Sequence, residues 1–116
     1  MSNDNEKITV IQGNLTDIYE VSPFENGEAV ATLSDAGWSC RSVLVENLGD
    51  IPLIDNTVTL KTIDDLYYRV AFEPDDTTPL AIGTYIWIIQ VENSTVVPKY
   101  RREKQISLTV EAQGLA

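Results

Sequence analysis

Leu80-Ala81-Ile82-Gly83-Thr84-Tyr85-Ile86-Trp87-Ile88-Ile89-Gln90-Val91 decides the fold of this 116-residue chain. A Leu-x-x-Gly-x-Tyr lead-in followed by an unbroken β-branched and aromatic run describes a strand entering a sandwich core. Tyr85 stands where a corner tyrosine would, its ring packed inside and its hydroxyl returned to backbone just upstream.

Outward from this strand, alternating apolar residues and turn signals recur, and no window keeps a 3.6-residue apolar stripe. Residues 8–12 read as a first strand closed by Gly13, and 15–21 as a second, stopped at Ser22-Pro23 because proline cannot donate to a ladder. Glu25-Asn26-Gly27-Glu28 supplies a tight turn into the short segment 29–33. After a break at 34–37, residues 38–46 form a longer strand with Trp38, Cys40, Ser42 and Leu44 on one face and Val43 and Val45 on the other. Apolar residues on both faces imply a second, partial cover, which a neighbouring subunit would supply. Residues 57–62 read as a short strand, Asp64-Asp65 as a turn, and 67–73 as a strand with Tyr68, Val70 and Phe72 inward. Residues 74–79 form a loop, 93–94 and 98–102 lie in the next connection, and 105–111 close the domain with Ile106, Leu108 and Val110 facing in.

The reading is therefore all-β: a single antiparallel β-sandwich of about seven to eight strands over residues 8–112, between an N-terminal tail, 1–7, and a C-terminal tail, 113–116. A barrel is the alternative. The expected central layer is Trp38, Leu44, Val70, Phe72, Tyr85, Trp87, Ile89, Ile106, Leu108 and Val110.

Composition narrows the function. One domain of this length buries roughly two-thirds of the surface its unfolded chain exposes, so it needs no staples. Cys40, the only cysteine, reads as a small core residue. The first residues have no basic and then apolar leader, and no window approaches a membrane span, so a soluble protein made in a cytoplasm is expected. Asn14-Leu15-Thr16 and Asn93-Ser94-Thr95 then read as turn chemistry, not glycan acceptors. Eighteen acidic against eight basic side chains leave a net charge of -10, which repels phosphate backbones and anionic lipids and argues against nucleic acid or membrane as partner. Lys99, Arg101, Arg102 and Lys104 hold half of the positive charge; they read as a solvated turn or as a basic edge that meets an acidic neighbour.

Catalysis finds few candidates. With no histidine there is no imidazole base, triad or imidazole metal ligand, and Cys40 sits mid-strand with nothing to activate it. The six glycines are dispersed, and none forms a phosphate-cradling loop. Asp64-Asp65 and Asp75-Asp76 read as solvated turns, with a calcium site between loops or an acid–base pair as alternatives; Glu25 and Glu28 flank a turn. Tyr67, Tyr68, Tyr100 and Trp38, with Arg41 or Arg69, are either a platform for a sugar ring or ordinary sheet-face packing. The apolar cluster Ile51, Pro52, Leu53 and Ile54, in what ought to be an exposed loop, either docks onto a partner or plugs an open end of the sandwich.

Four features together carry a resemblance: the opening Ile8-Thr9-Val10-Ile11-Gln12-Gly13; the Asn26-Gly27-Glu28-Ala29-Val30-Ala31-Thr32-Leu33 turn into Gly37-Trp38-Ser39-Cys40-Arg41; Leu80-x-x-Gly83-x-Tyr85-x-Trp87; and the final Ile106-x-Leu108-x-Val110. In order and spacing, over roughly residues 8–111, the chain resembles the small immunoglobulin-like β-sandwich domains of tailed-bacteriophage virion proteins. It is similar in layout to the N-terminal domains of upper baseplate and fibre-adaptor proteins. The resemblance implies a non-enzymatic structural subunit of a fibre, baseplate, neck or capsid surface, assembled in the bacterial host cytoplasm and resident in the virion. It implies other virion structural proteins as partners, a homo-oligomer or several symmetry-related copies, and no cofactor or active site. Those adaptor proteins usually continue into further domains, whereas this sequence stops at Ala116, which favours a free-standing decoration or adaptor subunit. On this reading Ile51, Leu53 and Ile54 are apolar anchors, and Lys99, Tyr100, Arg101, Arg102 and Lys104 set register. A carbohydrate- or receptor-binding module is the alternative function, and an adhesion domain with calcium in its acidic loops a third.

Overall fold

The computed structural model describes residues 6–21, 24–25, 28–29, 37–62, 67–93, 95 and 100–112. Along the chain these form β1 (Glu6–Ile11), β2 (Tyr19–Val21), β3 (Phe24–Glu25), β4 (Glu28–Ala29), β5 (Trp38–Val45), β6 (Ile54–Thr57), β7 (Tyr68–Val70), the short helix α1 (Pro74–Thr77), β8 (Gly83–Asn93) and β9 (Tyr100–Glu111). A five-stranded sheet in the order β1-β9-β8-β5-β6 forms one layer, β2 and β7 pair as part of the other, and β3 pairs with β4. The expected Asn26-Gly27 turn, the Asp64-Asp65 turn, most of the 29–33 and 34–37 segments, and nearly all of both tails lie outside the described residues.

The core follows from alternation. Along β8, Tyr85, Trp87, Ile89, Val91 and Asn93 are buried while the residues between them are not, because successive side chains point to opposite faces. Register carries that face across the sheet: Trp87 lies opposite Leu44 of β5 and Ile106 of β9, and both neighbours are fully buried. Tyr68 and Val70 of β7 and Phe72 just beyond it close the cluster from the other layer, with Tyr19 and Val21 packed against it. Every expected member of the central layer is buried except Trp38, which is half-buried against the cluster.

Trp87 joins the layers. Its ring meets Phe72 at a centroid distance of 4.7 Å and the edge of Tyr19 at 5.3 Å, both from the opposite side. Its indole Nε1 donates to Ser42 Oγ at 2.8 Å, so a hydroxyl that looks out of place in a core satisfies the one polar atom of the largest buried side chain. The Tyr85 hydroxyl donates to Ala81 O at 2.5 Å, four residues upstream, as the sequence suggests for a corner tyrosine.

Several expectations need correction. The body is not all-antiparallel: β1 runs parallel to β9, with Val10 opposite Val110 and Ile8 opposite Leu108. Two β-branched strands with apolar residues at the same parity can pair in either direction, and alternation alone does not choose. The second strand is limited to Tyr19–Val21, because the backbone turns at Gly13 (φ +88°) and Thr16 spends its hydroxyl on the amide of Phe72 at 2.9 Å. The strand expected at 57–62 occupies 54–57, where Ile54 faces Leu44; after Val58 the chain leaves β5, and residues 60–62 pair beside β7 instead. The 74–79 loop contains α1, started by Pro74 at its first turn and by a reciprocal cap in which Glu73 N donates to Asp76 Oδ2 at 3.0 Å. β9 begins at Tyr100, so residues 100–102 are strand, not connection.

Ser42→Ala leaves the buried indole N–H without its acceptor, and we expect it to lower unfolding free energy by about 1–3 kcal/mol. In a Trp87→Phe background, where no N–H remains, the same substitution should cost much less; urea titrations of the four proteins check this coupling.

Candidate functional site

The most distinctive surface lies at the end of the domain where β5 stops and β8 starts. Between β5 and β6 the chain makes a tight turn: Asp50 N donates to Asn47 O at 3.1 Å, Gly49 takes φ +90°, and Leu53 N rejoins the ladder at Leu44 O, 2.8 Å. The turn is thus held by backbone bonds while its apolar side chains point out. Ile51 is 89% exposed, Leu48 58% and Leu53 50%. Ile51 and Leu53 therefore do not plug the sandwich. Ile54 does, half-buried opposite Leu44 against the core, and it belongs to the fold.

Leu53 also walls a groove of about 360 Å³ shared with Ile54, Pro79, Leu80, Ala81 and Tyr85, whose rim carries the Glu46 and Asp76 carboxylates. Ile82, 63% exposed, follows Ala81 at the same end. Glu46 and Asp76 give the groove an acidic border, and Asp50 lies in the turn just before Ile51. Sequence patterning finds the anchors but not this border, because Asp76 reaches the groove only through the helix at 74–77.

The basic segment is not a single patch. Strand alternation in β9 sends Arg101 and Glu103 to the outer face and Arg102 and Lys104 to the inner parity. Lys104 Nζ meets Glu6 Oε1 at 2.6 Å and lies 5.5 Å from the centre of the Tyr19 ring, while Tyr19 donates to the other Glu6 oxygen at 2.9 Å. Hydrogen bonds from Lys104 and then Tyr19 hold the Glu6 carboxyl below its usual pKa. Lys104 thus ties β1 to β9. Arg101 pairs with Glu103 at 3.8 Å. Tyr100 is placed by its backbone opposite Asn93, and Lys99 lies outside the described residues.

Three of the sugar-platform residues are committed elsewhere, while Trp38 and Tyr100 flank Asn93 by register. Tyr68 is 2% exposed and belongs to the core, so it offers no stacking face. Arg41 is held by both oxygens of Asp55, at 3.2 and 2.7 Å, and Arg69 lies 3.7 Å from Glu20. Of the paired aspartates, Asp64 and Asp65 lie outside the described residues, while Asp75 and Asp76 sit in the first turn of α1. Among the described residues no three His, Cys, Asp or Glu side chains gather as a cation would require. No helix among them is long and apolar enough to cross a membrane. The sequence matches no protein-family model, and no curated protein is a match to it.

Cys40 is buried, and desolvation pushes its thiol pKa from 9.0 up to about 12. Burial does the same to the Tyr19 hydroxyl, raised from 10.0 to about 12 with help from its bond to Glu6. Both groups are neutral in the fold and ionise earlier when unfolded, so their contribution is complete below pH 9 and declines as pH rises from 9 toward 12. Urea midpoints measured against pH should fall from pH 9 upward, and Cys40→Ala should flatten the portion between 9 and 10; native Cys40 should resist thiol reagents until the chain opens.

Proposed function

We propose that this protein is a non-enzymatic assembly subunit that docks its β5–β6 end onto another structural protein, in the setting of a tailed-phage virion. The observation that carries the reading is Ile51, an isoleucine 89% exposed in the loop that follows the 47–50 turn and is closed by the Leu53 N–Leu44 O hydrogen bond. A large apolar side chain left in water gains by entering a partner's pocket, and the short loop closed at Leu44 and Leu53 limits the backbone ordering this costs. Leu48 and Leu53 widen the anchor, and Glu46, Asp50 and Asp76 select a pocket with a basic border. The partner site is then an apolar recess rimmed by lysine or arginine on another virion subunit, occupied by several symmetry-related copies.

The architecture supports an immunoglobulin-like sandwich of the variable type. The order β9-β8-β5-β6 corresponds to a G-F-C sheet extended by a further strand, and the Tyr85 hydroxyl closes the corner before β8. In such domains the position two residues after the corner tyrosine holds a cross-layer disulfide cysteine. Here it is Trp87, which spans the layers by packing.

Light scattering of the isolated chain, followed by imaging of its attachment to emptied phage heads and tails, tests the proposal. Ile51→Asp should abolish attachment while changing stability by no more than about 0.5 kcal/mol, since the side chain is almost wholly exposed. Failure of the unaltered chain to attach to either particle, or attachment unaffected by Ile51→Asp, would overturn the reading.

A further inference from the structure

The groove beside Leu53 combines an apolar lining with charge of one sign. Leu80 and Tyr85 in its lining are buried and Ile54 is half-buried, while Leu53, Pro79 and Ala81 are exposed, so the cleft is apolar and open to water. The Tyr85 hydroxyl is spent on Ala81 O. What remains for a ligand is the pair of carboxylates. Glu46, just past the end of β5, makes no ion pair or hydrogen bond among the described residues. Asp76, on α1, uses Oδ2 to accept from Glu73 N and keeps Oδ1 for another donor. Burial first, and then the Glu46 charge, raise the pKa of the Tyr85 hydroxyl, so that charge is felt inside the groove.

No lysine or arginine lines this groove. Two larger ones differ: the groove between β6 and β7 contains Arg69, and the one beside β2 contains Arg102 and Lys104. In a chain of net charge -10, a cleft with two carboxylates and no cation of its own calls for a basic guest. An apolar cleft with carboxylates at its rim suits a side chain with a long hydrocarbon stem and a cationic head. The separate origin of the two carboxylates chooses between the candidates. A guanidinium offers donors from several edges of a planar fork and can serve both, whereas an ammonium is a compact, strongly hydrated point charge. The weaker hydration of arginine also lowers the cost of leaving water beside Leu53 and Pro79.

We infer that this groove receives the side chain of one arginine from a protein partner, its stem along Leu53, Pro79 and Ala81 and its guanidinium between Glu46 and Asp76. The inference rests on the docking reading for the existence of that partner. Ile51 stands two residues before Leu53, so an arginine on the rim of the recess that takes Ile51 reaches the groove. Each side then inserts one side chain into the other.

NMR titration of the full chain with a blocked glycine-arginine-glycine tripeptide reads the groove without the partner. The amide signals of Leu53, Ala81 and Tyr85 should shift saturably, with a Kd on the order of 1–10 mM, since an exposed charge pair adds little. The lysine tripeptide should bind about three- to tenfold more weakly, and the citrulline tripeptide, of the same shape without the charge, should not saturate. Glu46→Gln should weaken arginine binding about three- to fivefold, while Glu103→Gln, the same change of charge on β9, should leave it unaltered. No saturable shift, shifts spread over the acidic surface, lysine or citrulline binding as tightly as arginine, or indifference to Glu46→Gln would each overturn the inference. Peptide binding and particle attachment are separate readouts: a groove that ignores arginine leaves the Ile51 anchor standing, and a chain that attaches to no particle still shows whether the groove selects arginine.

Discussion

The indole of Trp87 is the constraint on which the rest of the structure depends. A side chain of that size is removed from water only if both layers close on it and if its single N–H finds an acceptor, since a buried unpaired donor forfeits much of what burial contributes. Ser42 supplies the acceptor from β5, while Phe72 and Tyr19 supply the packing from the opposite side. The same residue therefore fixes the register of β8 against β5 and the distance between the layers. Tyr85, two residues earlier, fixes where β8 begins by returning its hydroxyl to Ala81.

From that frame the placement of the surface features follows. With Trp87 opposite Leu44, the ladder carries β5 as far as Val45, and the next residues must turn at the end of the sheet. Leu53 is bonded back to Leu44, so Leu48 and Ile51 in the loop between them have no interior to enter and stand in solvent. Alternation likewise places Val43, Val45, Ile86 and Ile88 on the opposite face of the sheet once their neighbours are committed to the core, and there Val43 and Val45 are buried as well. The exposed turn does not result from loose folding; it is imposed by the ladder that brings Leu53 back to Leu44.

The core was legible in the sequence because its cause is local: a period of two marks which face of each strand avoids water, and Trp87, Ile106, Leu108 and Phe72 declare themselves in that way. Strand direction was not, because β1 would bury Ile8 and Val10 equally well in a parallel or an antiparallel pairing. Strand limits failed where side chains replace ladder bonds, as at Thr16, or where the chain changes layers, as after Val58. Of the candidate site, Ile51 and Leu53 were visible as apolar residues among turn formers, but the acidic border of the groove was not, since Asp76 joins Glu46 there only in the fold. The basic segment divides between the two faces because residues adjacent in a strand point in opposite directions, so charge density along the chain does not become charge density on a surface.

The parallel pairing of β1 with β9 has a mechanical consequence. Glu6 lies beside Ile106, and Ile11 beside Glu111, so the chain enters the ladder near one end of the domain and leaves it near the other. Tension applied through these two points slides β1 along β9 and strains their whole shared row of hydrogen bonds together, instead of peeling them apart one at a time. Of the ways to attach a small β domain between two pulling bodies, this shear arrangement is the one that yields last.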